Sequence, residues 1–205
     1  WLLRLYSPLM SRFLDSVDMV VATSPQYRDT SAVLGGLVKP VHVIPNGIEE
    51  TTYPMASAQR LAYWRERVGE GFFLFVGVLR YYKGLNTLLE AASGLRGRIV
   101  IAGTGPEAGP LAEQAQREGA DNVQLVGHVS DEDKMCLLQL SRAFVFPSHL
   151  RSEAFGMSLV EAAMCSKPMI SCDIGTGTTY VTEDGITGWT VPPADAAALR
   201  AAMHK

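Results

Sequence analysis

The sequence predicts an α/β protein built on a doubly wound parallel sheet, and three observations carry that prediction. Short runs apolar on both faces recur along the chain, as strands covered by helices on both sides require. Amphipathic segments of helical period lie between these runs, so strand and helix alternate. Of the 205 residues 47% are hydrophobic and 19% charged, enough to bury a sizeable core.

The chain opens with "WLLRLYSPLMSRFLDSVD" (1–18), where Trp1, Leu5, Leu9 and Phe13, joined by Leu2, Tyr6, Met10 and Val17, give a helix a broad apolar face. Such a face suits a membrane surface or a core whose partner helices are missing, and the second reading is preferred. Strands are expected at "MVVAT" (19–23) and "VHVIP" (41–45), with a helix between them. "IPNGIEETTYP" (44–54) has no clear periodicity; Pro45 and Pro54 frame it and Asn46-Gly47 is a turn dipeptide. A domain boundary is placed there. Residues 1–46 hold too few elements for a domain and are expected to be the end of one, while residues 47–205 suffice for a whole Rossmann-like domain.

In that second part, strands are expected at "FFLFVGV" (72–78), "RIVIAG" (98–103), "VQLVG" (123–127), "AFVFPS" (143–148) and "PMISC" (168–172), with a weaker one at "GWTVP" (188–192). Helices are expected at "GLNTLLEAASGL", "EAGPLAEQAQREG", "DEDKMCLLQLSR", "GMSLVEAAMC" and the Ala-rich end, 194–202.

Composition removes several function classes. A formal charge of −3 supplies no electrostatic reason to expect nucleic acid. Cys136, Cys165 and Cys172 have neither a metal-ligand spacing nor an even count, which favours a reduced, cytoplasmic setting. No apolar run approaches the ~18 residues of a membrane span, and no signal peptide is read.

The stretch "SEAFGMSLVEA" (152–162) sets Glu153 in the loop after a strand and Glu161 about a turn into the next helix. Ligands of doubly wound sheets bind at the carboxyl ends of the strands. There Gly156, Met157 and Ser158 would present free amides to a phosphate, and each carboxylate would sit to one side, accepting from sugar hydroxyls. A phosphate flanked by two hydroxyl-rich groups describes a nucleotide sugar. The plainer reading is a helix with one acidic residue near its positive end and one solvated loop glutamate. "FVGVLRYYKGLNTLLEA" (75–91) adds a glycine turn with Arg80 and Lys83, two cations able to neutralise a diphosphate, or else an ordinary basic turn.

Taken together, "SEAFGMSLVEA", "VIPNGIE", "FVGVLRYYKG", "IAGTGPE" and "LVGHVSDEDK" resemble the landmarks of the family-4 retaining glycosyltransferases of GT-B fold, the first being similar to their E-x7-E motif. The resemblance runs from about Asp18 to Ala202. It implies two Rossmann-like domains facing a cleft, with this chain supplying mostly the C-terminal, donor-binding one and the "PNGI" join. It implies that Arg80 and Lys83 bind the diphosphate, Glu161 the ribose hydroxyls, and Glu153 the donor sugar and reaction centre, with Gly77 and the backbone of Phe155, Gly156, Met157 and Ser158 around them. Many members carry the arginine directly after the glycine, where this chain has Val78.

Other candidate sites are weaker. Asp131, Glu132 and Asp133 permit a metal reading, yet following Ser130 they read better as a capped helix start. Gly103 to Gly105 is half a dinucleotide fingerprint, with Ala108 in the third glycine's place. His42, His128, His149 and His204 have no metal spacing. The reading reached is therefore a hexosyltransferase using a nucleotide-diphosphate sugar, without metal or other cofactor, on a polysaccharide or glycolipid acceptor such as lipopolysaccharide. It is placed in the cytoplasm, at the inner face of the membrane if the absent domain makes peripheral contact. GDP-mannose is favoured, because Asp131, with Val129 backbone and Lys134, suits the paired donors of guanine; uracil is the alternative if Asp131 only supports the cap. The first helix is expected to drive self-association. The rival functions are a non-catalytic nucleotide-binding module and a GT-B nucleotide-sugar epimerase.

Overall fold

The computed structural model describes residues 2–205, with side chains described from residue 6. Trp1, and the side chains of Leu2 and Leu5 in the expected apolar face, lie outside the described residues. Helix α1 (Leu2–Ser16) follows, and its exposed Tyr6, Leu9 and Phe13 carry the rest of that face. The Lys39 ammonium ends the helix by donating to the carbonyls of Asp15 (3.1 Å) and Val17. Next come β1 (Val20–Ala22), α2 (Pro25–Thr30) and β2 (Val41–Val43), a parallel pair joined by one short helix. Ser24 caps α2 through its hydroxyl (3.0 Å from the Tyr27 amide), and Pro25 stands in the first turn where no amide is needed.

The larger sheet is assembled from β3 (Phe73–Val76), β4 (Ile99–Ala102), β5 (Val123–Gly127), β6 (Ala143–Phe146), β7 (Met169–Cys172) and β8 (Gly188–Val191). Its order is β5-β4-β3-β6-β7-β8 and every pairing is parallel. All eight expected strands form, each within the expected stretch. The strands β3, β4, β6 and β7 are buried along their whole length, as their unbroken apolar runs require. Phe75 and Phe146 stack across the centre at 6.3 Å, and each fully buried aromatic or leucine there contributes roughly 1.5–3 kcal/mol.

Helices α4 (Leu85–Ala92), α5 (Ala108–Glu118), α6 (Asp131–Leu140), α7 (Met157–Met164) and α9 (Ala196–Met203) are the expected ones. Two more were missed. In α3 (Ala58–Val68), Leu61, Trp64 and Val68 form a helical stripe between a Ser57 cap and Gly69, and it packs on α6. One-turn α8 (Thr178–Val181) is too short to show a period. Among the described residues no helix is long and apolar enough to cross a membrane.

Chain order explains where a site can form. From β3 the chain winds outward through β4 and β5, then returns to the other side of β3 with β6. The loops leaving β3 and β6 therefore part in opposite directions and open a crevice at their carboxyl ends. Gly84 lets the two walls approach: it sits at φ +66°, and a Cβ there would stand 2.1 Å from the Pro147 carbonyl oxygen.

Candidate functional site

Both walls of the crevice carry charge. After β3, a 3-10 turn over Tyr81–Lys83 directs the Lys83 ammonium inward, where it lies 4.6 Å from the centre of the Phe146 ring and forms an ion pair with the Glu153 carboxylate. Glu153 comes from the loop after β6, and Ser148 donates to it at 3.3 Å. Lys83 and Glu153 are only 8% and 9% exposed, so each offsets the burial of the other's polar group. The two cations of the β3 turn differ. Arg80 is solvent-exposed and makes no side-chain hydrogen bond among the described residues, leaving its guanidinium open to an incoming anion.

The helix of the motif behaves as its spacing suggested. Gly156, at φ +91°, turns the chain into α7, so the amides of Met157 and Ser158 fall in the first turn, where no helical carbonyl reaches them. Phe155 is buried beneath this turn and Met157 is exposed. One turn on, Glu161 Oε1 accepts from the Lys134 ammonium (2.8 Å) and the Tyr53 hydroxyl (3.0 Å). Lys134 also donates to Asp131 (2.9 Å) and stands 5.1 Å from the centre of the Tyr53 ring. Burial opposes the charge on Lys134, yet the bonds to Glu161 and Asp131 outweigh it and raise its pKa. The Tyr53 phenol is raised first by burial and then by its bond to Glu161.

Beside this network lies an open cleft of about 230 Å³, walled by the ends of β3, β4 and β5: Gly77 and Val78, Gly103 and Thr104, then Val129, Asp131 and Lys134 among others. Gly77, Val129, Asp131 and Lys134, picked from the sequence as donor-binding, thus share one wall. No group of three or more His, Cys, Asp or Glu that could hold a metal occurs among the described residues.

The capped-helix reading of 130–133 is what forms. Ser130 caps α6, accepting from the Asp133 amide at 3.1 Å while Asp133 reaches back to the Ser130 amide. Asp133 also accepts from Trp64 Nε1 (2.8 Å) and pairs with Arg60, clamping α3 to α6. Burial would raise this carboxyl, but the bonds from Trp64, Arg60 and Ser130 prevail and bring its pKa down to about 2. His149 packs edge-on against Tyr81 at 5.0 Å; its Nδ1 is buried without a partner, and burial lowers its pKa.

Sequence reasoning did not find Tyr53, Ser148 or the Trp64–Arg60 clamp. Tyr53 lies in an aperiodic linker, 108 residues from the glutamate it bonds, so only the fold brings the two together. The serine before the loop, "FPSHLRSEAF", was a visible polar neighbour of Glu153 that carried no spacing of its own.

Comparison with known proteins agrees with this geometry. A family model described as glycosyl transferases group 1 matches residues 62–205. The D-rhamnosyltransferase WbpZ of Pseudomonas aeruginosa is 56% identical over 203 residues, covering 99% of this chain and 53% of that protein. The O-antigen chain mannosyltransferase C of Escherichia coli is 50% identical over 204 residues, covering 100% of this chain and 55% of that protein. The chain spans about half the length of these curated relatives. Among solved structures, Anabaena Alr3699/HepE in complex with UDP matches with a TM-score of 0.80 at 24% identity, over 98% of this chain and 56% of that one. Sucrose-phosphate synthase from Thermosynechococcus elongatus matches at 0.79 and 27% identity, over 98% and 52%. The six-stranded parallel sheet is that of the α/β GT-B fold.

Proposed function

The chain belongs to the glycosyl transferases group 1 family, and from that premise we propose that it is the donor-binding part of a retaining hexosyltransferase that uses a nucleotide-diphosphate sugar. The observation that carries the reading is the Lys83–Glu153 pair, which joins the two walls of the crevice at the point where the strand order reverses. An ammonium has three donors. With one given to Glu153, Lys83 retains others for the diphosphate, and exposed Arg80 adds a forked contact beside it. The amides of Gly156, Met157 and Ser158 supply further donors, so this reading requires no metal.

Glu161, about one turn into α7, takes the ribose hydroxyls, and Glu153, eight residues earlier in the loop, takes the donor sugar. As the sugar–phosphate bond breaks, Lys83, Arg80 and the start of α7 stabilise the charge on the departing diphosphate. The acceptor oxygen bonds to the anomeric carbon on the face that the diphosphate leaves and gives its proton to that leaving group, so the anomeric configuration is retained. The protein's part is positioning and electrostatics. The matched mannosyltransferase and rhamnosyltransferase favour a hexose destined for a cell-surface polysaccharide or lipopolysaccharide. Asp131, at the rim of the cleft next to Val129 and Lys134, suits guanine, so GDP-mannose is the favoured donor. In this reading residues 1–46 end the acceptor-side domain and 47–205 form the donor domain. The exposed face of α1 packs in that absent domain, or in a second copy of the chain, and acceptor binding at the inner membrane face falls to the same domain.

Calorimetry with GDP and UDP on this chain tests the donor assignment. GDP is expected to bind more tightly, and tighter UDP binding would overturn the guanosine reading. Donor hydrolysis and transfer by the full-length protein, with no transfer by this chain alone, separates a transferase from a passive nucleotide-binding module.

A further inference from the structure

Arg151 lies two residues before Glu153 in the loop after β6, yet its bonds run away from that loop, to α2 and to the loop after β7. Its Nη1 donates to the Thr30 hydroxyl at 2.6 Å, to the Gly175 carbonyl at 2.8 Å and, more weakly, to the Ile174 carbonyl at 3.3 Å. Its guanidinium also stands 5.3 Å from the centre of the Tyr27 ring. Tyr27 and Thr30 belong to α2, between the two strands of the upstream unit, 121 residues away from Arg151 in the case of Thr30. The Thr30 hydroxyl reaches the Gly175 carbonyl as well, at 2.5 Å. Two loops of the larger sheet, after β6 and after β7, and helix α2 of the upstream unit therefore meet around one guanidinium.

Of these, the loop after β7 is fastened in turn to the motif loop. The Gly177 amide donates to the Ala154 carbonyl at 3.0 Å, and a Cβ on Gly177 would fall 2.3 Å from the Phe155 ring. Gly175, at φ +65°, is held as closely: a Cβ there would stand 2.9 Å from Arg151 Nη1 and 3.1 Å from Thr30. The backbone between Arg151 and Phe155, which carries Glu153, is thus bounded at one end by α2 and at the other by the β7 loop. Arg151 and Thr30 are solvent-exposed, so these bonds add little to global stability. Their effect is to decide where the loop sits relative to the upstream unit.

We propose that Arg151 is a positioning residue that latches α2 of the upstream unit to the loop bearing Glu153, so that seating α2 and placing Glu153 are one event. This rests on the reading of Glu153 as the residue at the donor sugar. Thr30 is the latch's other half, and the Tyr27 ring, 5.3 Å from the guanidinium, adds a cation–π contact.

Two measurements test it. In this chain, residue-resolved hydrogen exchange should show residues 24–31 and 150–156 both exchanging about tenfold faster in Arg151→Ala, and again in Thr30→Val, with the strands β3 and β6 unchanged. Faster exchange on one side alone would overturn the latch. In the full-length enzyme, Arg151→Ala should lower kcat by roughly 10- to 100-fold while the donor KM stays within about twofold. Adding Thr30→Val should lower it no further, and Arg151→Lys, whose ammonium can reach the same carbonyls, should restore part of the rate. Additive losses, or a loss confined to KM, would refute the proposal. Failure of the chain to bind either GDP or UDP would remove the donor-site reading instead, and the exchange experiment would still decide the latch.

Discussion

The two ends of the "SEAFGMSLVEA" segment hold the same pair of residue types in different settings. At one end Glu153 and Lys83 are both nearly sealed from solvent, and among the described residues the pair's further hydrogen-bond partner is Ser148. At the other, the Glu161 and Lys134 side chains are almost as buried, 13% exposed each, but they are joined to Tyr53 and to Asp131, whose carboxylate is exposed. A sealed pair has fixed partners and a fixed geometry, as a reaction centre needs. A rim network has donors and acceptors to exchange with a ligand's hydroxyls. Burial of the two pairs hardly differs, so it is the further partners, Tyr53 and the exposed Asp131, that divide the same chemistry between rigidity and adaptability.

The largest effect should come from breaking the sealed pair. Lys83→Met leaves the Glu153 carboxylate buried without a counter-charge, and about 3–5 kcal/mol of stability should be lost in urea denaturation. Lys83→Met combined with Glu153→Gln should regain most of it. A double variant no more stable than the single one would show that the lysine matters through packing instead. Next, Glu161→Ala removes an acceptor from the rim. Nucleotide affinity should fall roughly 10- to 150-fold, about 1.5–3 kcal/mol, in calorimetry, with the melting temperature little changed.

A third carboxylate sharpens the contrast, because Asp133 serves the fold and not the cleft. Its folded pKa of about 2 lies below the usual aspartate value, so its contribution is complete above about pH 4. As pH falls from there through 2 that contribution, about 2 kcal/mol, is lost. Urea midpoints taken from pH 5 to pH 2 should therefore fall more steeply in the parent than in Asp133→Asn; parallel curves would remove the assignment. The smallest effect is expected from Tyr53→Phe, which deletes one bond to Glu161. Nucleotide affinity should drop about fivefold, near 1 kcal/mol, and unchanged affinity would make Tyr53 a linker anchor only.

These contrasts also show how far the sequence could be read. Strands such as "FFLFVGV" and "AFVFPS" are visible because burial on both faces leaves no room for polar residues, and their alternation with amphipathic segments implies the winding. Glu153, Glu161, Arg80 and Lys83 are visible because each follows a strand end or opens a helix, where ligands bind. That Lys83 and Glu153 pair, and that Lys134 pairs with Glu161, depends on the order β3-β6 and on the fold bringing Lys134 of α6 within reach of Glu161 on α7. Neither follows from local pattern. Helix α3 carried a readable stripe, Leu61, Trp64 and Val68, but its arginine-rich opposite face obscured it.

The reversal at β3 has a temporal side. Strand β3 is paired with β4 on one edge and β6 on the other, and Lys83 precedes Glu153 by 70 residues. During synthesis at about 5–20 residues per second, the ammonium emerges roughly 4–14 s before its counter-charge. For that interval β3, β4 and β5 can pair while one edge of β3 stays open, with a cation beside it that discourages stray strands from docking. The arrival of β6 then closes the edge and completes the charge pair in a single step. The crevice is therefore among the last features to form on a growing chain, and a polypeptide halted before β6 would hold a nearly finished half-sheet with Lys83 lacking its counter-charge.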